Sequence, residues 1–310
     1  MISSLSVPRP YRLDLTVNVL RRLSTNLVDV LTPHGEYIRL LGDSADSAVI
    51  RARQPRPGKL IVEVEGESQR QPEMLVLVRR ILGLEVDLTR FYHSAAAISW
   101  LHPLVLRIRG VRPPRYPTLW EACINAIVFQ QISLHAAGAI MGRFIRGLSE
   151  PVEYAGVRLY RFPCITEFQA ASDQLLRGAG FSAGKLATLR RVADALAGGV
   201  LEEARLEQLS SAEASAVLRG IKGIGAWTAA VILLRGLGRL DVFPANDSSV
   251  ARNLALLGGP APLDAESLLQ HLGPDRGMLY YHLLLGRLEA RGDLASLPSR
   301  NHHEIEASGR

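Results

Sequence analysis

Residues 218–253 read LRGIKGIGAWTAAVILLRGLGRLDVFPANDSSVARN, and the first half of this stretch decides the fold. A short helical segment ending near Leu218 is followed almost at once by Gly223, Ile224 and Gly225, and then by a helical run from Ala226 to Leu234. Two glycines around one aliphatic residue permit a tight turn with exposed main-chain amides, while Ile224 plugs the space between the flanking helices. Such amides at a helix N-terminus make a nest for one phosphate oxygen, and Lys222 sets a mobile positive charge beside them. A nucleotide-binding phosphate loop is excluded, because no glycine-rich run ending in Lys-Ser or Lys-Thr follows a strand here. Glycine at a helix joint is common in any helical protein. The longer pattern Leu-x-Gly-Ile-x-Gly-Ile-Gly-x-x-Thr-Ala, from Leu218 to Ala229, is much more specific, and a hairpin of this kind grips a DNA backbone without reading sequence.

The second half of the stretch carries one carboxylate, Asp247, between PheProAlaAsn and SerSerValAlaArgAsnLeu. Aspartate is favoured at the start of a helix as an acceptor for free amides and as a partner of the helix dipole, so an N-cap is one reading of it. A carboxylate held at a helix start beside a DNA clamp can also stabilise positive charge developing on a sugar. The two roles are compatible.

Outward from this stretch, the 310 residues are 47% hydrophobic and 21% charged, enough for a sizeable core and for two or three domains. The net charge of +6 favours an acidic partner, and arginine supplies nearly all of it, because the only lysines are Lys59, Lys185 and Lys222. Two cysteines, Cys123 and Cys164, are too few for a disulfide framework, a four-thiolate zinc site or a four-cysteine iron–sulfur cluster. No metal site is expected, and His302 with His303 reads as tail composition. The N-terminus lacks the apolar core of a signal peptide and no run is long enough to span a bilayer, so the expected location is cytoplasmic.

Residues 11–66 read as strands. Leu13, Leu15, Val17 and Val19 alternate with Asp14, Thr16 and Asn18, Leu60, Val62 and Val64 alternate with Ile61, Glu63 and Glu65, and 36–41 and 48–52 offer further strands, with a hairpin connection at 51–59. Helical spacing takes over at 72–84, and beyond about residue 85 the strand signal all but vanishes. The fold class is therefore mostly α with an N-terminal α+β unit: an antiparallel sheet domain over 1–110, a helical domain over 111–300 and a disordered tail over 301–310. Arg107 to Pro117 reads as a basic, proline-rich linker. Thr118 with Glu121 and Ser210 with Glu213 form capping boxes, helices are expected at 165–177, 182–197 and 202–210, and 150–163 reads as an irregular connector. Gln130 and Gln131 stand together at a helix end and read as surface caps.

The run GIKGIGAWTAAVILLRGLGRLDVFPANDSSVARNL resembles the helix-hairpin-helix (HhH-GPD) DNA glycosylase superfamily, and within it the DNA-3-methyladenine glycosylase II subfamily. The resemblance extends to TLWEACINAIVFQQIS, to Phe162 and Pro163, and to DRGMLYYHLLL, so it covers about 85–290; an N-terminal α+β unit is also what that subfamily carries. It implies a DNA-backbone clamp at Lys222, Gly223, Ile224, Gly225 and Thr228, a catalytic carboxylate at Asp247 and a duplex wedge at Gln131, where relatives have an apolar residue. Trp227 occupies the place of the Schiff-base lysine of lyase-competent relatives, which implies a monofunctional enzyme that removes alkylated bases of the 3-methyladenine or 7-methylguanine type from duplex DNA without cutting the strand. It also implies no required cofactor, although relatives hold a monovalent cation on hairpin carbonyls when DNA is bound, and nothing requires more than a monomer.

An alkylated purine leaves as a neutral base without a general acid, so the enzyme must flip the nucleotide, stabilise an oxocarbenium-like sugar and admit water. Trp227, Tyr280 and Tyr281 are candidates to stack on the base, a contact worth roughly 1–3 kcal/mol. Trp227 can equally be core, and at most one of the adjacent tyrosines faces a pocket. Relatives place a stacking aromatic at about Leu284. Another base specificity on the same scaffold, such as uracil, mismatched thymine or an oxidised purine, and a non-catalytic backbone-binding module are the rival readings.

Overall fold

The computed structural model describes residues 1–43, 46–66, 71–244 and 264–294. Asp247 and the polar tail lie outside the described residues.

An N-terminal sheet is built from β1 (Ile2–Ser6), β2 (Val30–Leu31), β3 (Tyr37–Gly42), β4 (Ser47–Arg56) and β5 (Lys59–Glu65), in the order β1-β5-β4-β3-β2 with every pair antiparallel. Ile50 pairs with Val64 and Ala52 with Val62, which puts the alternating apolar residues of both strands on one buried face. Their connection turns at Pro57 and Gly58, where φ is +79°, a value that glycine adopts without strain. The Gln71–Ile81 helix covers that face through Met74, Val78 and Ile81.

The segment expected as the first strand is a helix, Leu13–Arg21, and every one of its nine residues is buried. Alternation predicts a strand on the premise that the polar positions face water. Here they face protein and find partners locally: Thr16 Oγ1 donates to Arg12 O (2.9 Å), Asn18 Nδ2 to Asp14 O (2.9 Å) and Arg21 Nε to Asn18 Oδ1 (3.0 Å). The apolar residues divide at helical spacing. Leu13, Val17 and Leu20 join the core beneath the sheet, whereas Leu15, Val19 and Leu23 join a second core with Phe91, Leu104, Leu234, Tyr281 and Leu285. One short helix thus lies between two cores.

The helical body forms around Leu119–Val128, which packs against Ala183–Ala197 and Ala226–Gly236. A further core gathers Ile124, Ile127, Phe144, Phe168, Leu189, Val192, Ile224 and Ile232. Gly236 lets two of these helices meet closely, since a Cβ there would lie 2.8 Å from Ala122 Cβ. Three expectations change in this part of the chain. The connector at 150–163 contains a hairpin, β6 (Pro151–Tyr154) and β7 (Val157–Tyr160), turned by Ala155 (φ 49°) and Gly156 (φ 76°); alanine seldom takes that conformation, so the turn gave no signal. The helix expected over 165–177 is two, Ile165–Ala170 and Asp173–Ala179, divided at Ser172, whose side chain caps the second. The box at Thr118 is half made: Thr118 Oγ1 accepts from Glu121 N (3.1 Å), but the Glu121 carboxylate turns to Arg39 of β3 (2.5 Å). The box of Ser210 and Glu213 is complete.

Candidate nucleic-acid interface

The helices Ser211–Arg219 and Ala226–Gly236 are joined by residues 220–225. Ile224 is 4% exposed and enters the helical core, while Gly223 and Gly225 stay on the surface. The two glycines do different work. Gly223 has φ +103°, and a Cβ on it would lie 2.0 Å from Thr188 Oγ1, so neither the backbone conformation nor the space admits a side chain. Gly225 has an extended φ of −89° with nothing within 4 Å of an added Cβ. It opens the second helix with no side-chain cap, so the first-turn amides of that helix keep their orientation toward solvent and toward an anion.

Neighbouring segments brace the hairpin. Gln130 Nε2 donates to Gly223 O (3.3 Å) and to Thr228 Oγ1, and Arg191 Nε donates to Lys222 O (3.0 Å). Lys185 Nζ donates to Val128 O (2.8 Å) and Gln130 O (2.9 Å), tying the end of the Leu119–Val128 helix to the start of Ala183–Ala197, and burial lowers its pKa from the usual lysine value. Gln130 is therefore a bracket between two loops, and not only a surface cap. The signal for it was its identity as an amide with donor and acceptor beside a glycine turn, but the partner lies 93 residues away in sequence. Gln131 next to it is exposed and holds φ 56° in the turn into Leu134–Leu148, with Ile132 (37% exposed) following.

Of the aromatic candidates, Trp227 is half-buried at the first turn of the hairpin's second helix and packs on the helical core. Tyr281 is fully buried, its hydroxyl donating to Leu234 O (3.2 Å), so it belongs to the core. Tyr280 is half-buried and edge-on to Tyr281, with ring centroids 5.6 Å apart. Of the tyrosine pair, Tyr280 alone reaches the surface. Phe129, which motif reading passed over, is half-buried between two cores and adjoins Gln130. Thr228 is buried and placed by Gln130, and Lys222 is exposed.

With this geometry, the comparison with known proteins is specific. Residues 124–273 match the family model of the HhH-GPD superfamily of base excision DNA repair proteins. Over these residues, just under half of its length, the chain is similar to the HhH-GPD superfamily. Among HhH-GPD relatives, the chain is 26% identical over 191 residues to the DNA-3-methyladenine glycosylase of Bacillus subtilis (62% of this chain, 63% of that one). It is 37% identical over 134 residues to DNA-3-methyladenine glycosylase 1 of Schizosaccharomyces pombe (42% and 54%). The chain thus spans between half and two thirds of the length of these relatives. Its fold superposes with a TM-score of 0.77 on the 3-methyladenine DNA-glycosylase from Archaeoglobus fulgidus, at 25% identity, over 93% of this chain and 99% of that one.

The two HhH-GPD hairpin glycines are expected to separate stability from binding. Gly223→Ala should lower stability by about 2 kcal/mol or more, through positive φ and the clash with Thr188. Gly225→Ala should change stability by less than about 0.5 kcal/mol while weakening affinity for duplex DNA, because its methyl would stand in the open space before the uncapped helix start, where a phosphate is expected. Denaturant unfolding and fluorescence anisotropy with a labelled duplex measure the two effects, and equal stability loss in both variants would refute the assignment.

Proposed function

We propose that this chain is a monofunctional DNA glycosylase that removes alkylated bases from duplex DNA by hydrolysis of the N-glycosidic bond. The observation that carries the reading is the glycine hairpin with its uncapped helix start, followed at the next turn by Trp227 in the place of a Schiff-base lysine. The resemblance to glycosylases named for 3-methyladenine supports the substrate class.

In this mechanism the amides of Gly225 and the following turn, with Lys222, hold one backbone phosphate and keep the flipped nucleotide in register. Gln131, exposed in its turn, fills the space the nucleotide vacates. Trp227 and Tyr280 offer aromatic surface to an electron-poor base. Asp247 stabilises the sugar cation and orients water. Base removal without an imine is supported by Lys185, which is committed to two carbonyls, and by Lys222, which precedes the hairpin glycines whereas Trp227 follows them. Hairpin carbonyls of Ile221, Lys222 and Gly223 each accept one hydrogen bond and keep a second lone pair. They fit a monovalent cation, which would add positive charge facing the phosphate.

The test is incubation with methylated duplex DNA and chromatography of the bases set free. Release of methyladenine or methylguanine, with no adduct trapped by borohydride, is expected. DNA binding with no release would leave a backbone-binding module, and a trapped adduct would contradict the monofunctional mechanism.

A further inference from the structure

Beside the candidate site stands a cation whose placement the hairpin does not explain. Arg22 terminates the Leu13–Arg21 helix with φ 61° and ψ −50°, the centre of a γ-turn closed by Leu23 N donating to Arg21 O (2.7 Å). This conformation is strained for any residue with a side chain. Its effect is to turn the side chain back into the protein, where Arg22 is 5% exposed and its guanidinium lies 4.0 Å over the ring of Phe129. Tyr280 stands beside the same guanidinium, and so does the fully buried Arg235, which donates to Val19 O and Leu20 O (3.0 and 3.3 Å).

Two buried cations side by side call for carboxylates. Among the described residues neither arginine forms an ion pair: the nearby carboxylates, Asp29 and Glu121, are both taken by Arg39. Three donor nitrogens, NH1 of Arg22 and Nε and NH1 of Arg235, have no hydrogen-bond partner. Buried charges and buried donors are costly unless paired, so an arrangement held by backbone strain points to a partner that arrives from outside. Phe129 and Tyr280, both half-buried, border the guanidinium. Arg22 and Phe129 together line a cavity of about 40 Å³ with Leu20, Asn26, Asn125 and Met141.

We propose that Arg22, bordered by the candidate stacking residue Tyr280, determines specificity for the excised base and selects bases presenting a ring carbonyl oxygen, such as the O6 of 7-methylguanine or hypoxanthine, over the amino edge of 3-methyladenine. This rests on the excision reading above. Guanidinium is a donor-only group: it meets a carbonyl oxygen with a charge-assisted hydrogen bond and meets an amino group donor to donor. A cationic alkylpurine gains nothing from a second cation unless it offers an oxygen to it. The 7-methylguanine ring does so and the 3-methyladenine ring does not.

The experiment compares the full chain with Arg22→Gln and Arg22→Lys. Release rates are measured on duplexes carrying 7-methylguanine, hypoxanthine or 3-methyladenine, and inhibition by the free bases is measured in parallel. Arg22→Gln is expected to lower the ratio of oxopurine to 3-methyladenine release by about tenfold or more, with Arg22→Lys between it and the parent. In the unsubstituted chain, free 7-methylguanine and hypoxanthine should inhibit more strongly than free 3-methyladenine, a result that does not depend on any variant folding. An unchanged ratio, a parallel loss for all three substrates, or equal inhibition by the free bases would overturn the role of Arg22. Absence of release from every substrate would instead refute the excision reading, and free-base binding, followed by the change in intrinsic tryptophan fluorescence, would still report on Arg22.

Discussion

Asp247→Asn is expected to retain affinity for duplex DNA and to lose base release by about 10²–10³-fold or more, the scale seen when one electrostatic stabiliser of a developing charge is removed. Asparagine preserves the size and the helix-capping oxygen of aspartate, so a carboxylate that serves only as a cap should tolerate the change at a cost of a few tenths of a kcal/mol. The two roles therefore make opposite forecasts for one variant. Single-turnover release from a methylated duplex measures the chemical step, and anisotropy with the same duplex measures binding. Full activity in the variant would move the charge-stabilising role away from Asp247 and would leave the hairpin as a binding element alone.

The second large effect lies away from the interface. Arg39 of β3 bridges Asp29 (2.6 Å) and Glu121 (2.5 Å), with all three side chains buried and Tyr37 also donating to Asp29 (2.9 Å). Arg39→Met should cost about 3–5 kcal/mol, because it leaves two carboxylates in a protein interior with no cation between them. The sign of its pH dependence follows. Burial already pushes the Glu121 carboxyl above the usual range; without Arg39 it rises further. A carboxyl whose folded pKa exceeds its unfolded value of about 4.3 favours the fold in its protonated form, so the deficit should shrink as the pH falls toward that value and grow as it rises. Adding Asp29→Asn and Glu121→Gln to Arg39→Met should recover most of the loss at neutral pH. Urea unfolding of the three chains from pH 5 to pH 8 decides the matter, and a loss independent of pH would mean that packing, not charge, sets the cost.

How far these features can be read from residues alone depends on the range of the interactions that create them. β5 was legible because its alternation ends on a real water-facing side, and the Ser210 cap because both of its partners lie within one turn. The hairpin was legible because glycine has few other reasons to recur around one isoleucine. Leu13–Arg21 was not, because burial on all sides gives polar residues the pattern of a half-exposed strand. Glu121 was assigned to its nearest amide, when a guanidinium 82 residues distant in sequence was the stronger partner. Arg22 and Phe129 carried no local signal at all. Their meaning comes from a backbone angle and a ring contact, neither of which spacing encodes.

The placement of Leu13–Arg21 between two cores has a consequence for how the chain is made. Leu15, Val19 and Leu23 leave the ribosome well before Met278, Tyr281 and Leu285, with which they share their core. Closing that contact must wait for every residue between them, and closing so long a loop is costly and slow. Until then the apolar side formed by Leu15, Val19 and Leu23 stands open, a state prone to non-productive association. In the folded molecule the same packing ties Leu13–Arg21, and the turn at Arg22 that follows it, to the Gly277–Ala290 helix.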